Sequence, residues 1–200
     1  MNEKEIIKIV YVDDKIDLII SEYLDKLEES KYVFKYFETK FDSNRSNYKD
    51  LLNDDIVSKA DVVIIDSKLF ENGSVTQKFS GEEFKAMYNT IYPYSNVIVI
   101  SKNDELEKYG TIKKYSKTKH NDSNDYYDTA LKPLILENAE KIIQSRQILK
   151  ALKKNISNYE NDLIVDKIQN MMTGASSYRE LTDEKIDELI RLIESELIKK

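Results

Sequence analysis

Three short apolar runs constrain this chain most: Ile6 to Val12, broken only by Lys8, then Val62 to Ile65, then Val97 to Ile100. Each is rich in β-branched residues and apolar at consecutive positions. A strand with one wet face alternates polar and apolar residues, whereas a strand covered on both faces does not. The runs therefore predict inner strands of a parallel sheet with helices on both sides.

The stretches between the runs carry helical spacing. After Asp14, the residues Ile16, Ile19, Ile20, Tyr23 and Leu27 share one face, and Phe84, Met87, Tyr88 and Ile91 do so after Gly81. Pro93 ends the latter helix. A weaker helix is predicted from Ser46 to Ser58, preceded by an aromatic strand from Tyr32 to Phe37. The order through Ser101 is thus β-α-β-α-β-α-β, which with right-handed crossovers gives an α/β, doubly wound sheet.

Beyond Ser101 the pattern predicts a short polar helix near Glu105 to Tyr109, a strand from Thr111 to Ser116, and a loop from Thr118 to Asp125. A helix opens at Pro133, which suits a first-turn position, and runs to about Lys154 through Ile135, Ala139, Ile142 and Ile143. Two amphipathic segments follow. One carries Ile164, Ile168, Met171 and Met172 and stops at Gly174; the other carries Ile186, Leu189, Ile190, Ile193 and Leu197. The domain reading is a main domain over 1–132, a long helix or connector over 133–155, and an acidic helical tail over 156–200.

Composition removes several functions. With no Cys, the chain has no disulfide, thiolate-zinc site or Cys nucleophile, and a single His, His120, rules out a two-His metal site. A net charge of -6 works against a broad phosphate-binding surface, so no nucleic-acid partner is expected. The polar start Met1 to Glu5 leads into an apolar stretch too short for a secretory segment or a membrane span. The expectation is a cytoplasmic protein with no membrane partner.

In an open parallel sheet, ligands gather at the carboxyl ends of the strands. The first run ends in Asp13 and Asp14, the second in Asp66, and the third in Ser101. Carboxylates brought together there repel unless a cation sits among them, and a hard, oxygen-loving ion such as Mg2+ is the simplest remedy. Asp66 could then attack phosphorus while the ion offsets charge on the group in transit.

Val10-Tyr11-Val12-Asp13-Asp14, the run ending in Asp66, Ser80-Gly81-Glu82-Glu83-Phe84 and the run ending in Ser101 together resemble the receiver domain of bacterial two-component response regulators, over about the first 135 residues. The resemblance implies a five-stranded, flavodoxin-like receiver fold with a C-terminal helical extension. It implies Asp66 as phosphoacceptor, Ser101 as switch hydroxyl, and Asp13, Asp14, Asp66 and the Lys68 backbone carbonyl as Mg2+ ligands. It also requires a lysine after the fifth strand to pair with the phosphoryl group. Lys117 is the first candidate, with Lys132, which heads a Lys-Pro dipeptide, and Lys119 as alternatives; Tyr115 would be the aromatic switch residue.

The chain departs from the family pattern where Met-Pro would follow Asp66, in the long stretch 67–80, and in a contracted fourth-helix region. Taken singly, the residues also have plainer readings. Asp-Asp after a strand is often a turn and helix cap, Ser101 a cap, Gly81 a loop residue, Lys117 a solvated lysine and His120 an exposed residue without a role. The tail faces could pack on the domain or on each other.

The leading expectation is a non-enzymatic signalling protein phosphorylated by a sensor histidine kinase or another phosphodonor. It would act on a protein effector through its C-terminal helices, and a homodimer is compatible with this. The alternative is a phosphorylation-independent docking subunit of a larger assembly. An aspartyl phosphohydrolase is disfavoured because Asp13 is followed by Asp14 and Lys15, not by the Asp-x-Asp pattern of the haloacid dehalogenases.

Overall fold

A computed structural model describes residues 4–42, 47–69, 80–103 and 110–155, together with positions 166 and 170. Five parallel strands form one sheet: β1 (Glu5–Asp13), β2 (Tyr32–Lys40), β3 (Val62–Asp66), β4 (Asn96–Ser101) and β5 (Ile112–Lys113). Their order is β2-β1-β3-β4-β5, which is the flavodoxin-like doubly wound order. The described helices are α1 (Leu18–Asp25), α2 (Tyr48–Leu52), α3 (Gly81–Ile91), α4 (Ser123–Ala130) and α5 (Lys132–Asn155).

Apart from Ile6 and Lys8, the apolar runs lie where both faces are covered. On one face Ile7, Ile9, Tyr11, Ile64 and Ile100 pack with Ile20 and Leu24 of α1, Tyr127 of α4, and Ile135, Ala139 and Ile142 of α5. On the other, Val10, Val12, Val63, Ile65 and Val99 pack with Leu51 and Leu52 of α2 and Phe84 and Tyr88 of α3. Burying one such aliphatic side chain contributes about 1.5–3 kcal/mol, so these two layers hold the strand ends in register. Among the described residues no helix is long and apolar enough to cross a membrane.

Several elements differ from expectation. The helix expected from Ser46 to Ser58 is only Tyr48–Leu52. Asp54 ends it by accepting hydrogen bonds from the backbone N–H groups of Ile56 and Val57, both at 2.9 Å, which turns the chain. The loop expected from Thr118 to Asp125 gives way to α4, opened by Asp122 accepting from the N–H of Asn124 at 2.7 Å. Apolar spacing could not reveal this helix, because it is anchored by tyrosines. His120, expected in open solvent, is partly buried against Tyr126, with ring centres 4.3 Å apart. The helix expected near Glu105 and most of the tail lie outside the described residues.

At the amino end of the strands, Asp61 is 3% exposed and joins three elements. Its carboxylate accepts from the Lys8 N–H at 2.8 Å and pairs with Arg146 of α5 at 2.5 Å, while its backbone carbonyl accepts from the Asn96 N–H at 3.0 Å. Burial raises the Asp61 pKa above the ordinary carboxylate value, and Arg146 and the Lys8 N–H only partly offset this. A raised folded-state pKa means a contribution to stability present at low pH and lost as pH rises through the folded value. Arg146→Ala removes part of the offset and raises that pKa further. The variant is expected to lose about 2 kcal/mol near pH 7 and markedly less near pH 4, measured by urea unfolding at both pH values.

Candidate functional site

Parallel pairing sets the carboxyl ends of β1, β3 and β4 side by side: Val12 is level with Ile65, and Asp66 with Ile100. Asp13 and Ser101, each 2% exposed, therefore end adjacent parts of the same sheet edge as Asp66. Asp13, Asp14, Asp66, Lys68 and Ser101 all line one cleft of about 400 Å3, together with Lys114. The fold thus brings Asp13, Asp14, Asp66 and Ser101 to one cleft.

None of the three candidate lysines, Lys117, Lys119 and Lys132, lines that cleft, whereas Lys114 does. The Lys114 ammonium lies 2.8 Å from Asp13 Oδ2 and 2.7 Å from Asp66 Oδ1, and its side chain is 7% exposed. Lys117 instead stands exposed in the turn after Ser116. Lys119 lines a neighbouring recess, and Lys132 is the first residue of α5. The reason is strand length. β5 has two paired residues where Thr111 to Ser116 was expected, and Lys113 is already level with Ser101, the last residue of β4. Lys114 is thus the residue that emerges at the sheet edge. Tyr115 follows Lys114 directly in the chain, half-buried, with its ring 6.2 Å from that of Tyr126.

The backbone around Lys114 is held from three sides. Its own N–H donates to the Ser101 carbonyl at 2.7 Å. The Tyr126 hydroxyl donates to the Lys113 carbonyl at 2.8 Å, and the Tyr115 N–H donates to the Tyr127 hydroxyl at 3.0 Å. Two consecutive tyrosines of α4 therefore fix the residues on either side of the lysine.

Asp13 is equally constrained. Its Oδ2 also accepts from the Tyr11 hydroxyl at 2.6 Å, and its Oδ1 from the Lys15 N–H at 3.1 Å. Burial alone would raise the Asp13 pKa, but the hydrogen bonds from Lys114 and Tyr11 overcome it and hold the carboxyl below its ordinary value. For Lys114, burial would lower the pKa, yet the Asp66 and Asp13 charges raise it, so the ammonium stays protonated. Burial, together with the Asp13 carboxylate, pushes the Tyr11 phenol far up, keeping it a donor.

Around Asp66, Oδ2 accepts from the Lys68 N–H at 2.8 Å, while Ser101 Oγ accepts from the Asn103 N–H at 3.1 Å and keeps its own proton to donate. Ser67, next in the chain, donates to Glu82 at 2.8 Å, and Thr111 donates to the same carboxylate at 2.7 Å. Glu82 thereby ties the loop after β3 to the residue before β5, a link that sequence spacing does not disclose. Gly81 has a specific reason to be glycine. A Cβ there would come within 2.8 Å of the Asp66 carbonyl oxygen and 3.0 Å of Ser67 Cα, both rigid backbone atoms. Close approach of α3 to the end of β3, not an unusual backbone angle, excludes a side chain.

The residues lining the cleft offer carboxylate and hydroxyl oxygens, ligands of the kind Mg2+ takes, beside the Lys114 ammonium. Among the described residues no three His, Cys, Asp or Glu side chains form a group able to hold a metal. Such an ion would therefore complete its shell with water and phosphate oxygens, as Mg2+ commonly does.

All five strands run parallel in the order expected from the resemblance, with the acids at the ends of β1 and β3 and a lysine immediately after β5. The fold is receiver-like. No family model matches the chain, and no curated protein matches it in sequence. Among solved structures, it is similar to a two-component transcriptional regulator AraC from Clostridium phytofermentans ISDg, at 15% identity and a TM-score of 0.44, covering 70% of this chain and 98% of that one. It is also similar to the signal receiver domain of an HD domain-containing protein from Pseudomonas fluorescens Pf-5, at 14% identity and a TM-score of 0.42, covering 75% and 96%. A response regulator receiver domain protein from Clostridium thermocellum shares 18% identity at a TM-score of 0.37, covering 71% and 98%.

Removing the Lys114 charge leaves two carboxylates facing each other, one of them buried. In a chelator, Lys114→Met is expected to cost about 3 kcal/mol, read as a lowered thermal midpoint. Millimolar Mg2+ should recover more of that midpoint in the variant than it adds to the wild type, because the ion no longer competes with an ammonium.

Proposed function

We propose that this chain is a phosphoacceptor receiver that accepts a phosphoryl group on Asp66 and signals through protein-protein contacts. The observation that carries this reading is the Lys114 ammonium bridging Asp13 and Asp66 beside buried Ser101. Asp66 is the carboxylate of that pair with the greater exposure, its side chain being 15% exposed against 3% for Asp13. It is therefore the one a phosphodonor can reach.

In the reaction, a carboxylate oxygen of Asp66 forms a bond to phosphorus as the bond from phosphorus to the donor breaks, and the leaving group departs with that electron pair. Mg2+ would take no more than two of the Asp13, Asp14 and Asp66 carboxylates at once, with the Lys68 carbonyl, water and phosphoryl oxygens completing its shell, and would supply charge neutralisation on the phosphoryl oxygens. Lys114 exchanges its bond to Asp66 for one to a phosphoryl oxygen, remaining anchored to Asp13. Ser101 donates its hydroxyl proton to another. The donor is a sensor histidine kinase or a small acyl phosphate. Because Lys114 and Ser101 are joined through backbone, the added charge biases β4, β5 and α4 together, which is how a local event would reach an effector.

A second reading, a docking subunit that never meets phosphate, is favoured by the same bridge, since Lys114 pairs with both carboxylates at once. Incubation with acetyl phosphate and Mg2+, followed by intact-mass analysis, separates the two. A single phosphoryl adduct is expected in the wild type, absent in Asp66→Ala and abolished by chelator. An unmodified wild-type protein under these conditions favours the docking subunit.

A further inference from the structure

Strand order leaves β2 at one edge of the sheet, paired with β1 alone. Edge strands are commonly short, or broken by proline, glycine or a bulge, which stops them from recruiting another strand. β2 has none of these guards. It runs unbroken from Tyr32 to Lys40, every residue in register with one from Glu5 to Asp13. Tyr32, Val33, Phe34, Tyr36, Phe37 and Thr39 are the aromatic and β-branched types that favour strands. On one face Val33 and Phe37 are 42% and 40% exposed, beside Ile6 of β1 at 41%. The Glu38 carboxylate is drawn inward by the Tyr36 hydroxyl and by Ser21 of α1, which leaves Lys35 and Lys40 as the charges exposed along the strand.

The ladder fixes which backbone groups face outward. Along a parallel strand, alternate residues direct both N–H and C=O to the same neighbour. Just past β2, the Phe41 N–H donates to the Asp13 carbonyl at 3.0 Å, so the odd-numbered residues of this strand bond β1. Tyr32, Phe34, Tyr36, Glu38 and Lys40 therefore present their N–H and C=O groups to the open side. Among the described residues no backbone group bonds to that side. The outward groups are symmetric about Tyr36, and so is what a second, antiparallel β2 would meet. With a two-fold axis at Tyr36, backbone bonds would join Tyr36 to Tyr36, Phe34 to Glu38 and Tyr32 to Lys40. Between them Lys35 would face Phe37, and Val33 would face Thr39. No like charges lie directly opposite, and Lys35 comes over an aromatic ring. Centring on Lys35 or Glu38 instead opposes like charges, and centring on Phe37 leaves Tyr32 and Val33 beyond the end of the partner strand.

We propose that the open edge of β2 is a dimer interface: two copies of this chain pair β2 with β2, antiparallel about Tyr36, and join their sheets into one. The contact is self-complementary and closed, because each copy uses its β2 edge once. It also gathers the exposed Val33 and Phe37 of both copies on one face. β5, at the opposite edge, has two paired residues and is too short to compete. Lys114 follows that opposite strand, so the inference stands whether or not Asp66 is phosphorylated.

Sedimentation velocity of the full-length chain over a wide range of concentrations tests this, and a monomer–dimer equilibrium is expected. Phe37→Lys sets a lysine opposite Lys35 at two symmetry-related positions, which should raise the dimer dissociation constant about tenfold. Adding Lys35→Glu turns both contacts into opposite-charge pairs and should restore most of the lost affinity, a recovery that general damage to the fold would not allow. A wild-type chain that stays monomeric throughout, its edge left to another segment or partner, would overturn the proposal. So would a dimer that Phe37→Lys leaves intact, or a double variant that associates no better than the single one.

Discussion

Two carboxylates at the ends of neighbouring parallel strands are costly when one is buried, and the Lys114 ammonium makes the pair tolerable. Desolvating a charge costs several kcal/mol unless it is paired and its remaining lone pairs are met. Asp13 meets that condition through Lys114, Tyr11 and the Lys15 N–H at once. The need to deliver one cation to one point explains features that look unrelated. It explains why β5 stops so early, why α4 contributes two consecutive tyrosines, and why the Ser101 carbonyl is the acceptor for the Lys114 N–H.

Several tyrosines among the described residues serve a similar end. Tyr88 and Tyr92 fill the α3 side of the core and spend their hydroxyls on the carbonyls of Val57 and Leu52, at 2.7 and 2.9 Å. Tyr23 stacks on Tyr127 and reaches Asp128 at 2.8 Å. A phenol buries as much apolar surface as a phenylalanine yet can also satisfy backbone that no helix or strand pairs. This lets a chain with short α2 and β5 elements keep its connecting segments fixed.

What could be read from the residues follows from which forces are local. Strands β1, β3 and β4 announce themselves because burial on two faces leaves a continuous apolar run, and the residues ending those runs are the ones lining the cleft. The strand at the opposite edge of the site could not be read so. Ile112 and Lys113 pair with β4 for reasons lying in Ser101, Tyr126 and Tyr127, not in their own spacing. Misjudging that strand by three residues moved the predicted cation from Lys114 to Lys117. In the same way, α4 is specified by an Asp122 cap and tertiary tyrosine contacts rather than by an apolar period, and α2, whose weak period predicted a longer helix, is cut short by a side-chain turn at Asp54.

The shortness of β5 also has a kinetic meaning. Protection against opening grows with the number of backbone bonds and buried apolar contacts that must break together. A strand with two paired residues, both only partly buried, has the fewest ladder bonds in this sheet, and the bonds from Tyr126 and to Tyr127 are what add to them. The cation thus follows the least-paired strand, while the two carboxylates end more extensively paired ones. Excursions that free Lys114 from Asp66 need not disturb β1 or β3, so the charge balance of the cleft can fluctuate on a shorter timescale than the fold itself.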